Sequence, residues 1–257
     1  MLCSSQAPSQ GWRVVYIPTL VGLSVALFGA FVFWESRYAA APIMPLSIFT
    51  APTFAALIFV VLLTYMSVGI ALWYMVAWQQ LLRDWTVLEL AVGWIPYSIG
   101  ASMAVGVAAW LIPRLPAQWI LAGGVVAQVA SCLVLATMPE KQIYWAQIFP
   151  AIVLGSVCPD FVYVAAQVIT SNSVGKRNQG VAGSLVGTLN LYGNSLGLGF
   201  AGTIETQLID DGRAQVDGYR MALYFGAASG LAALLLDIVA VRVQKDKRES
   251  GIEDEEN

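Results

Sequence analysis

The chain has 257 residues, of which 58% are hydrophobic and 11% charged, and its formal net charge is −3. An ordinary soluble domain is about 25% charged, so this composition is typical of a membrane protein. Because the chain contains no histidine and its three cysteines follow no metal or disulfide spacing, we predict no enzyme, no metal site, no other cofactor and no nucleic-acid partner.

Apolar runs long enough to cross a bilayer recur along the whole chain. A bilayer core about 30 Å thick needs roughly 20 apolar residues of helix to span it. Seven such runs are predicted, at 14–34, 53–78, 88–112, 117–138, 143–170, 181–204 and 219–241. The first run has no small-residue cleavage site, so we expect a membrane span there and not a signal peptide. The predicted fold class is an all-α membrane protein with seven transmembrane helices.

The connections between the runs divide the chain into three parts. A longer, proline-containing stretch separates the first run from the other six, which divide naturally into two sets of three. We predict a leading helix with its linker over 1–50, a six-helix unit over 51–241 and a charged tail over 242–257. Eight Lys and Arg residues, counting those of the tail, face five on the opposite side, which places the C-terminus in the cytoplasm.

Asp160 is an ionisable residue in the middle of the fifth run, where a charge costs about 2.5 to 3.5 kcal/mol on insertion scales. Pro159 before it removes a backbone hydrogen bond and leaves a carbonyl one turn earlier to a neighbour or to water. Residues spaced by four, three, four and three positions share one helix face: Ser156, Asp160, Tyr163, Gln167 and Thr170. We therefore predict a helix that lines a cavity.

Three roles are open for Asp160. It is a structural buried carboxylate, a direct contact to substrate, or a group that takes up a proton, because burial favours the neutral form of a carboxyl group. A second ionisable residue, Asp237, lies about one turn from the end of the last run and close to Arg242. We predict a snorkelling or end-paired carboxylate at Asp237.

The sixth run has a face of small and amide residues at helical spacing: Gly183, Gly187, Asn190, Asn194, Gly197 and Ala201. Such a face lets helix backbones approach closely in lipid, so its glycines are predicted packing positions. For Asn190 and Asn194, hydrogen bonding between helices and cavity lining are equally open. The stretch GLGFAG at 197–202 matches a dinucleotide-binding spacing but lacks a preceding strand, so we interpret it as part of this packing face.

Three stretches resemble the major facilitator superfamily, specifically the C-terminal half of the fungal fourteen-helix drug:proton antiporters of the aminotriazole-resistance type. They are PIMPLSIF at 42–49, PDFVYVAAQVITSNS at 159–173 and QGVAGSLVGTLNLYGNSLGLGFAGTIE at 179–205. The resemblance implies two three-helix inverted repeats that handle substrate near the bilayer midplane. It also implies proton-coupled efflux of small toxic or drug-like molecules. Asp160 is then the proton-coupling candidate, and the cavity candidates are Ser156, Tyr163, Gln167, Asn190 and Asn194.

In this family a loop rich in Gly, Asp and Arg joins the second and third helices of a repeat. LIPRLPAQW at 111–119 takes its place here, with Arg114 as the gating candidate. The acidic residue of the motif is absent, and Pro116 replaces a glycine.

Complete relatives have about twice as many helices, so we expect a truncated chain, or a half-transporter that needs a missing N-terminal half or a second copy. One alternative is a non-transporting membrane protein that associates with a full-length transporter. A seven-helix receptor is disfavoured, because the last run has no lysine for a retinal Schiff base and the third ends without a DRY-like sequence. The expected partners are the lipid bilayer, a small-molecule substrate and protons, in the plasma or vacuolar membrane.

Overall fold

The structure is a computed structural model that describes residues 16–37, 52–140, 142–174 and 179–241. Within these ranges the chain forms helices and no strand. In chain order they are α1 (Tyr16–Arg37), α2 (Pro52–Ala77), α3 (Val87–Gly93), α4 (Ile95–Leu111), α5 (Ala117–Ala136), α6 (Ile148–Ser173), α7 (Gln179–Asp210) and α8 (Gln215–Ala240). A π-helical turn, Trp78–Leu82, continues α2.

Within the described ranges, five segments are long and apolar enough to cross a membrane: Thr53–Leu82, Val87–Leu111, Ala117–Ala136, Ile148–Ser173 and Gln215–Ala240. They correspond to five of the predicted runs, and the predicted all-α membrane fold is confirmed. The sixth predicted run falls on α7, which is not among the five although it has 32 residues. Its glycines and its Ser, Thr and Asn side chains make it less apolar than the other helices.

Three helix boundaries differ from the prediction. The third run is divided at Trp94: α3 ends at Gly93, and the next helix begins at Ile95 with Pro96 in its first turn. Helix α6 begins at Ile148 and not at 143. Helix α7 runs past the predicted end of the sixth run at 204 and continues to Asp210.

A glycine motif terminates α7 beyond the predicted boundary. Gly212 has φ 80°, and its N–H donates to the carbonyl of Ile209 at 2.9 Å, while the Arg213 N–H donates to the carbonyl of Leu208 at 3.0 Å. These paired bonds satisfy the carbonyls of the last helical turn, and the left-handed backbone at Gly212 is unfavourable for a residue with a side chain. Glu205 therefore lies inside the helix.

Among the five membrane-length segments, the one that contains α2 is the most enclosed, with 61% of its most apolar stretch buried. It packs against α7 and α8, while α5 packs against α6 and α8. Helix α4 is the opposite case. Only 6% of the most apolar stretch of the segment Val87–Leu111 is buried, and α6 is the main neighbour of α4. Most of the α4 surface is therefore free of contacts with the described part of the chain.

Helices α2 and α7 run side by side in the same direction. Phe54 packs with Ala182 near their starts, Gly69 lies against Asn194 further along, and Tyr74 contacts Glu205 near their ends. Two glycines make this approach close: a Cβ at Gly69 would lie 2.7 Å from Asn194 Oδ1, and one at Gly193 would lie 2.7 Å from the Cβ of Tyr65. Helix backbones that touch in this way need small residues at the contact.

Candidate proton and substrate site

Asp160 lies inside α6, directly after Pro159, and is half-buried. The ion pair found among the described residues joins Arg220 to Asp217 at 3.9 Å and does not involve Asp160. Two tyrosines from neighbouring helices, Tyr65 of α2 and Tyr97 of α4, lie within electrostatic range of its carboxyl group. Asp160 is thus a partly accessible carboxyl group without a basic partner in the described part of the chain.

The predicted polar face of α6 separates into a packed part and an accessible part. Ser156 is fully buried, and its Oγ donates to the carbonyl of Val153 at 2.8 Å and lies against Gly100 of α4. Tyr163, by contrast, is 41% exposed. Ser156 therefore belongs to the contact between α4 and α6, whereas Asp160 and Tyr163 keep surface that a small molecule could reach.

Gln167 connects α6 to α7. Its side chain is half-buried, and Nε2 donates to the carbonyl of Gly183 at 3.1 Å. A second bond supports the same junction, because Gln179 Nε2 donates to the carbonyl of Ser171 at 2.8 Å. The amide of Gln167 is thus engaged between helices at the end of the polar face.

A cross-helix hydrogen bond reaches the proline of α6. The hydroxyl of Tyr65 donates to the carbonyl of Pro159 at 3.0 Å, and the Tyr65 side chain is 1% exposed. The sequence predicted that a neighbour or water would satisfy the carbonyl one turn before the proline. In the structure, the Tyr65 hydroxyl instead donates to the carbonyl of Pro159 itself. Sequence reasoning did not single out Tyr65.

The two asparagines of α7 bond to each other along the helix. Asn194 Nδ2 donates to Asn190 Oδ1 at 2.7 Å and to the Asn190 carbonyl at 2.9 Å. Both side chains are half-buried, and Asn194 also lies against Gly69 of α2. The structure therefore brings Asn194 to the contact between α2 and α7, and the Asn190 amide to Asn194.

The three predicted packing glycines of α7 have different surroundings. A Cβ at Gly197 would collide with the backbone of Met66 in α2. A Cβ at Gly183 would lie 2.8 Å from Oε1 of Gln167, which is the end of a flexible side chain, and one at Gly187 would meet no described atom within 4 Å. Close backbone packing is thus concentrated at two positions of α7. One is Gly197, which belongs to the predicted face, and the other is Gly193, which does not.

Arg114 is exposed in the turn between α4 and α5. Its guanidinium lies 4.1 Å from the ring centroid of Trp110, and Nη1 donates to the Trp110 carbonyl. In the described part of the chain Arg114 makes no ion pair. Its contacts are therefore local, on the last turn of the preceding helix.

Glu205 is a carboxylate just beyond the predicted end of the sixth run at 204, and it lies inside α7. Its Oε2 accepts a 2.7 Å hydrogen bond from the hydroxyl of Tyr74, whose ring lies 5.2 Å from that of Tyr219 in an edge contact. The hydroxyl of Tyr219 in turn accepts from Gln215 Nε2 at 2.8 Å. The sequence feature that could have predicted this cluster is the stretch from Glu205 up to Gly212, which contains no helix-breaking residue before that glycine and therefore places Glu205 within the helix.

Asp237 is not a snorkelling residue. Its side chain is fully buried, and neither carboxylate oxygen has a hydrogen-bond partner among the described residues. Helix α5 packs against α8 here, and Gln118 Nε2 donates to the Asp237 carbonyl at 3.0 Å. The predicted snorkelling is wrong because the side chain is fully buried, and the predicted partner Arg242 lies outside the described residues.

The helical architecture and the five segments long and apolar enough to cross a bilayer define an integral, multi-pass α-helical membrane protein. No family model matches the chain. It is 32% identical over 237 residues to an uncharacterized MFS-type transporter of Schizosaccharomyces pombe, which covers 92% of this chain and 45% of that protein. The chain belongs to the major facilitator superfamily, whose members are transporters and not enzymes.

Two further relatives agree with this assignment. Efflux pump terJ of Aspergillus terreus is 31% identical over 230 residues, covering 88% of this chain and 44% of the pump. The aminotriazole resistance protein of Saccharomyces cerevisiae is 28% identical over 230 residues, covering 90% of this chain and 42% of that protein. The chain spans about half the length of the curated relatives it matches.

Proposed function

We propose that this chain forms one half of a proton-coupled efflux transporter for small toxic or drug-like molecules, with Asp160 as the group that takes up the proton. The observation that carries the proposal is the half-buried Asp160, which has no ion-pair partner in the described part of the chain and follows a proline in the middle of α6. An ionisable residue at such depth is a functional candidate by default. The names of two relatives, an efflux pump and a resistance protein, support export.

The proposed organisation has three parts. Residues 1–50 form a leading helix and linker, 51–241 form the C-terminal six-helix domain of the superfamily, and 242–257 form a cytoplasmic tail. The six helices are two inverted repeats, of which the second consists of α6, α7 and α8. The rest of a longer protein, or a second copy of this chain, supplies the other half of the pathway in the plasma or vacuolar membrane.

The proposed chemistry rests on charge. Protonation removes the negative charge from the middle of α6, which lowers the cost of surrounding that part of the helix with apolar groups. Loss of the proton restores the charge and favours a conformation in which Asp160 contacts water. A proton gradient can shift the balance between two such conformations because they differ in proton affinity. Tyr163, which is 41% exposed, provides an aromatic surface for substrate beside this carboxyl group.

The test is complementation of yeast that lacks its own aminotriazole export. The chain is co-expressed with the half of the Schizosaccharomyces pombe relative that it does not match, and resistance to aminotriazole is measured. We expect resistance with the wild-type chain and its loss with Asp160→Asn. The matched control is Asp217→Asn, which changes an acidic residue of the Arg220 ion pair in the first turn of α8. Equal resistance with both variants would contradict the role of Asp160.

A second candidate is a membrane protein that associates with a full-length transporter and does not itself transport. The observation that favours association is the open surface of α4, since only 6% of the most apolar stretch of the segment Val87–Leu111 is buried. Native mass determination in detergent, with and without a co-expressed full-length relative, distinguishes the two candidates. A complex that forms without any gain of resistance would favour the second.

A further inference from the structure

We propose that Tyr65 is the positioning residue of Asp160: its hydroxyl holds the carbonyl of Pro159 and thereby fixes the turn of α6 that carries the carboxyl group. The inference deepens the proposed function and rests on the role given there to Asp160. Tyr65 belongs to α2, so the hydrogen bond joins two different helices at the residue that directly precedes Asp160.

The first step concerns the weakness of α6 at this point. Pro159 has no N–H, so this turn of α6 lacks one of the backbone bonds that hold a regular helix. The 3.0 Å bond from Tyr65 supplies a constraint from outside the helix at the same residue. Because Pro159 and Asp160 share a peptide group, a rotation of the Pro159 carbonyl also turns the backbone of Asp160.

The second step concerns the rigidity of Tyr65. Its side chain is 1% exposed. Tyr65 also packs closely on Gly193 of α7, because a Cβ built on Gly193 would lie only 2.7 Å from the Cβ of Tyr65. A buried ring in a close-packed contact has little freedom to move. Tyr65 therefore transmits the position of the α2 and α7 pair to α6, and its hydroxyl has a fixed location.

The third step concerns the groups around Asp160. Electrostatic neighbours among the described residues are Tyr65 from α2, Tyr97 from α4, and Cys158 on α6 itself. Helix α5 contains no Asp, Glu, Lys or Arg. The acidic residues of α7 lie in its last two turns, where Glu205 is bound to Tyr74. No basic residue of these helices competes with the Tyr65 contact in setting the proton affinity of Asp160.

The experiment measures proton occupancy at Asp160 directly in the 257-residue chain, without transport. Dicyclohexylcarbodiimide reacts with protonated carboxyl groups in apolar surroundings, and peptide mass spectrometry reports labelling of Asp160 as a function of pH. We expect Tyr65→Phe to shift the labelling midpoint of Asp160 by about half a pH unit or more, because the turn that carries the carboxyl group is no longer held in place. Labelling of Asp237, measured in the same sample, is expected to keep its midpoint.

Two further variants make the experiment decisive. Tyr74→Phe removes the hydroxyl of another buried tyrosine of α2, which bonds Glu205 and not Pro159, and is expected to leave the Asp160 midpoint unchanged. Incorporation of 3-fluorotyrosine at position 65 keeps the hydroxyl and strengthens it as a donor, so it is expected to shift the midpoint in the direction opposite to Tyr65→Phe. This variant retains the packing of the ring if Tyr65→Phe fails to fold.

The outcomes separate the two proposals. An Asp160 midpoint that is the same in the wild-type chain and in both position-65 variants overturns the positioning role of Tyr65 and leaves the proton role of Asp160 intact. Labelling of Asp160 that does not change with pH in the wild-type chain contradicts the proton role itself. A shift that Tyr74→Phe reproduces would also overturn the inference, because it would show a general effect of loosening α2.

Discussion

The hydroxyl of Tyr74 in α2 donates a 2.7 Å hydrogen bond to the carboxylate of Glu205 in α7. The two residues are 131 positions apart in the chain, and they close the end of the contact that begins with Phe54 and Ala182. A hydrogen bond to a charged group is stronger than one between neutral groups. The pair therefore stabilises the parallel packing of α2 and α7 where the glycine contacts end.

Removal of the Tyr74 hydroxyl is expected to destabilise the bundle. Tyr74→Phe leaves the half-buried Glu205 without its donor, and we expect the free energy of unfolding to fall by about 1.5 to 3 kcal/mol. Unfolding in a denaturing detergent, followed by tryptophan fluorescence, measures the change. The control is Tyr192→Phe in α7, whose side chain is 53% exposed. An equal loss in both variants would show that the bond to Glu205 adds nothing.

Leucine at position 197 is expected to disrupt the contact of α7 with α2, because a side chain there collides with the Met66 backbone. Overpacking of this kind costs about 1 to 3 kcal/mol, and more where backbone cannot move. The measurement is the fraction of monodisperse protein in detergent size-exclusion chromatography. Gly187→Leu is the matched control on the same helix, since no described atom lies within 4 Å of a Cβ at that position. Equal behaviour of the two variants would contradict the tight contact at Gly197.

Arg114→Ala is expected to change stability little. The guanidinium stacks on Trp110 in an exposed turn, and contacts of this kind contribute about 0.5 to 1 kcal/mol. We therefore expect a small shift in thermal unfolding and unchanged resistance in the complementation assay. If resistance is lost while stability stays normal, the contact with Trp110 does not explain the effect, and the result would support the predicted gating role of Arg114.

The sequence predicted where the helices lie because long apolar stretches mark the segments that can cross a bilayer. Helix ends were less predictable, since they depend on backbone geometry at single residues. Gly212 ends α7 through two specific hydrogen bonds, and without that geometry the predicted helix ended too early, at 204. The division of the third run at Trp94 is also local, because it depends on Pro96 in the first turn of the following helix.

The site was predictable only within one helix at a time. Helical spacing placed Asp160, Tyr163 and Gln167 on one face, but it could not show that Tyr65 reaches Pro159 across 94 positions. The packing face of α7 illustrates the same limit. Gly187 follows the spacing and meets no described atom within 4 Å, while Gly193 lies off it and contacts Tyr65, because the direction of the neighbouring helix decides which positions touch.

The central claim is that Asp160 carries the coupled proton, and substrate-driven proton flux tests it most directly. The chain is co-reconstituted with the half of the Schizosaccharomyces pombe relative that it does not match, in liposomes that contain a pH-sensitive dye, and the compound of the complementation assay is added under an imposed pH gradient. The account predicts proton movement with the wild-type chain, none with Asp160→Asn, and normal movement with Asp217→Asn. Substrate-driven flux that persists unchanged in Asp160→Asn would contradict the account.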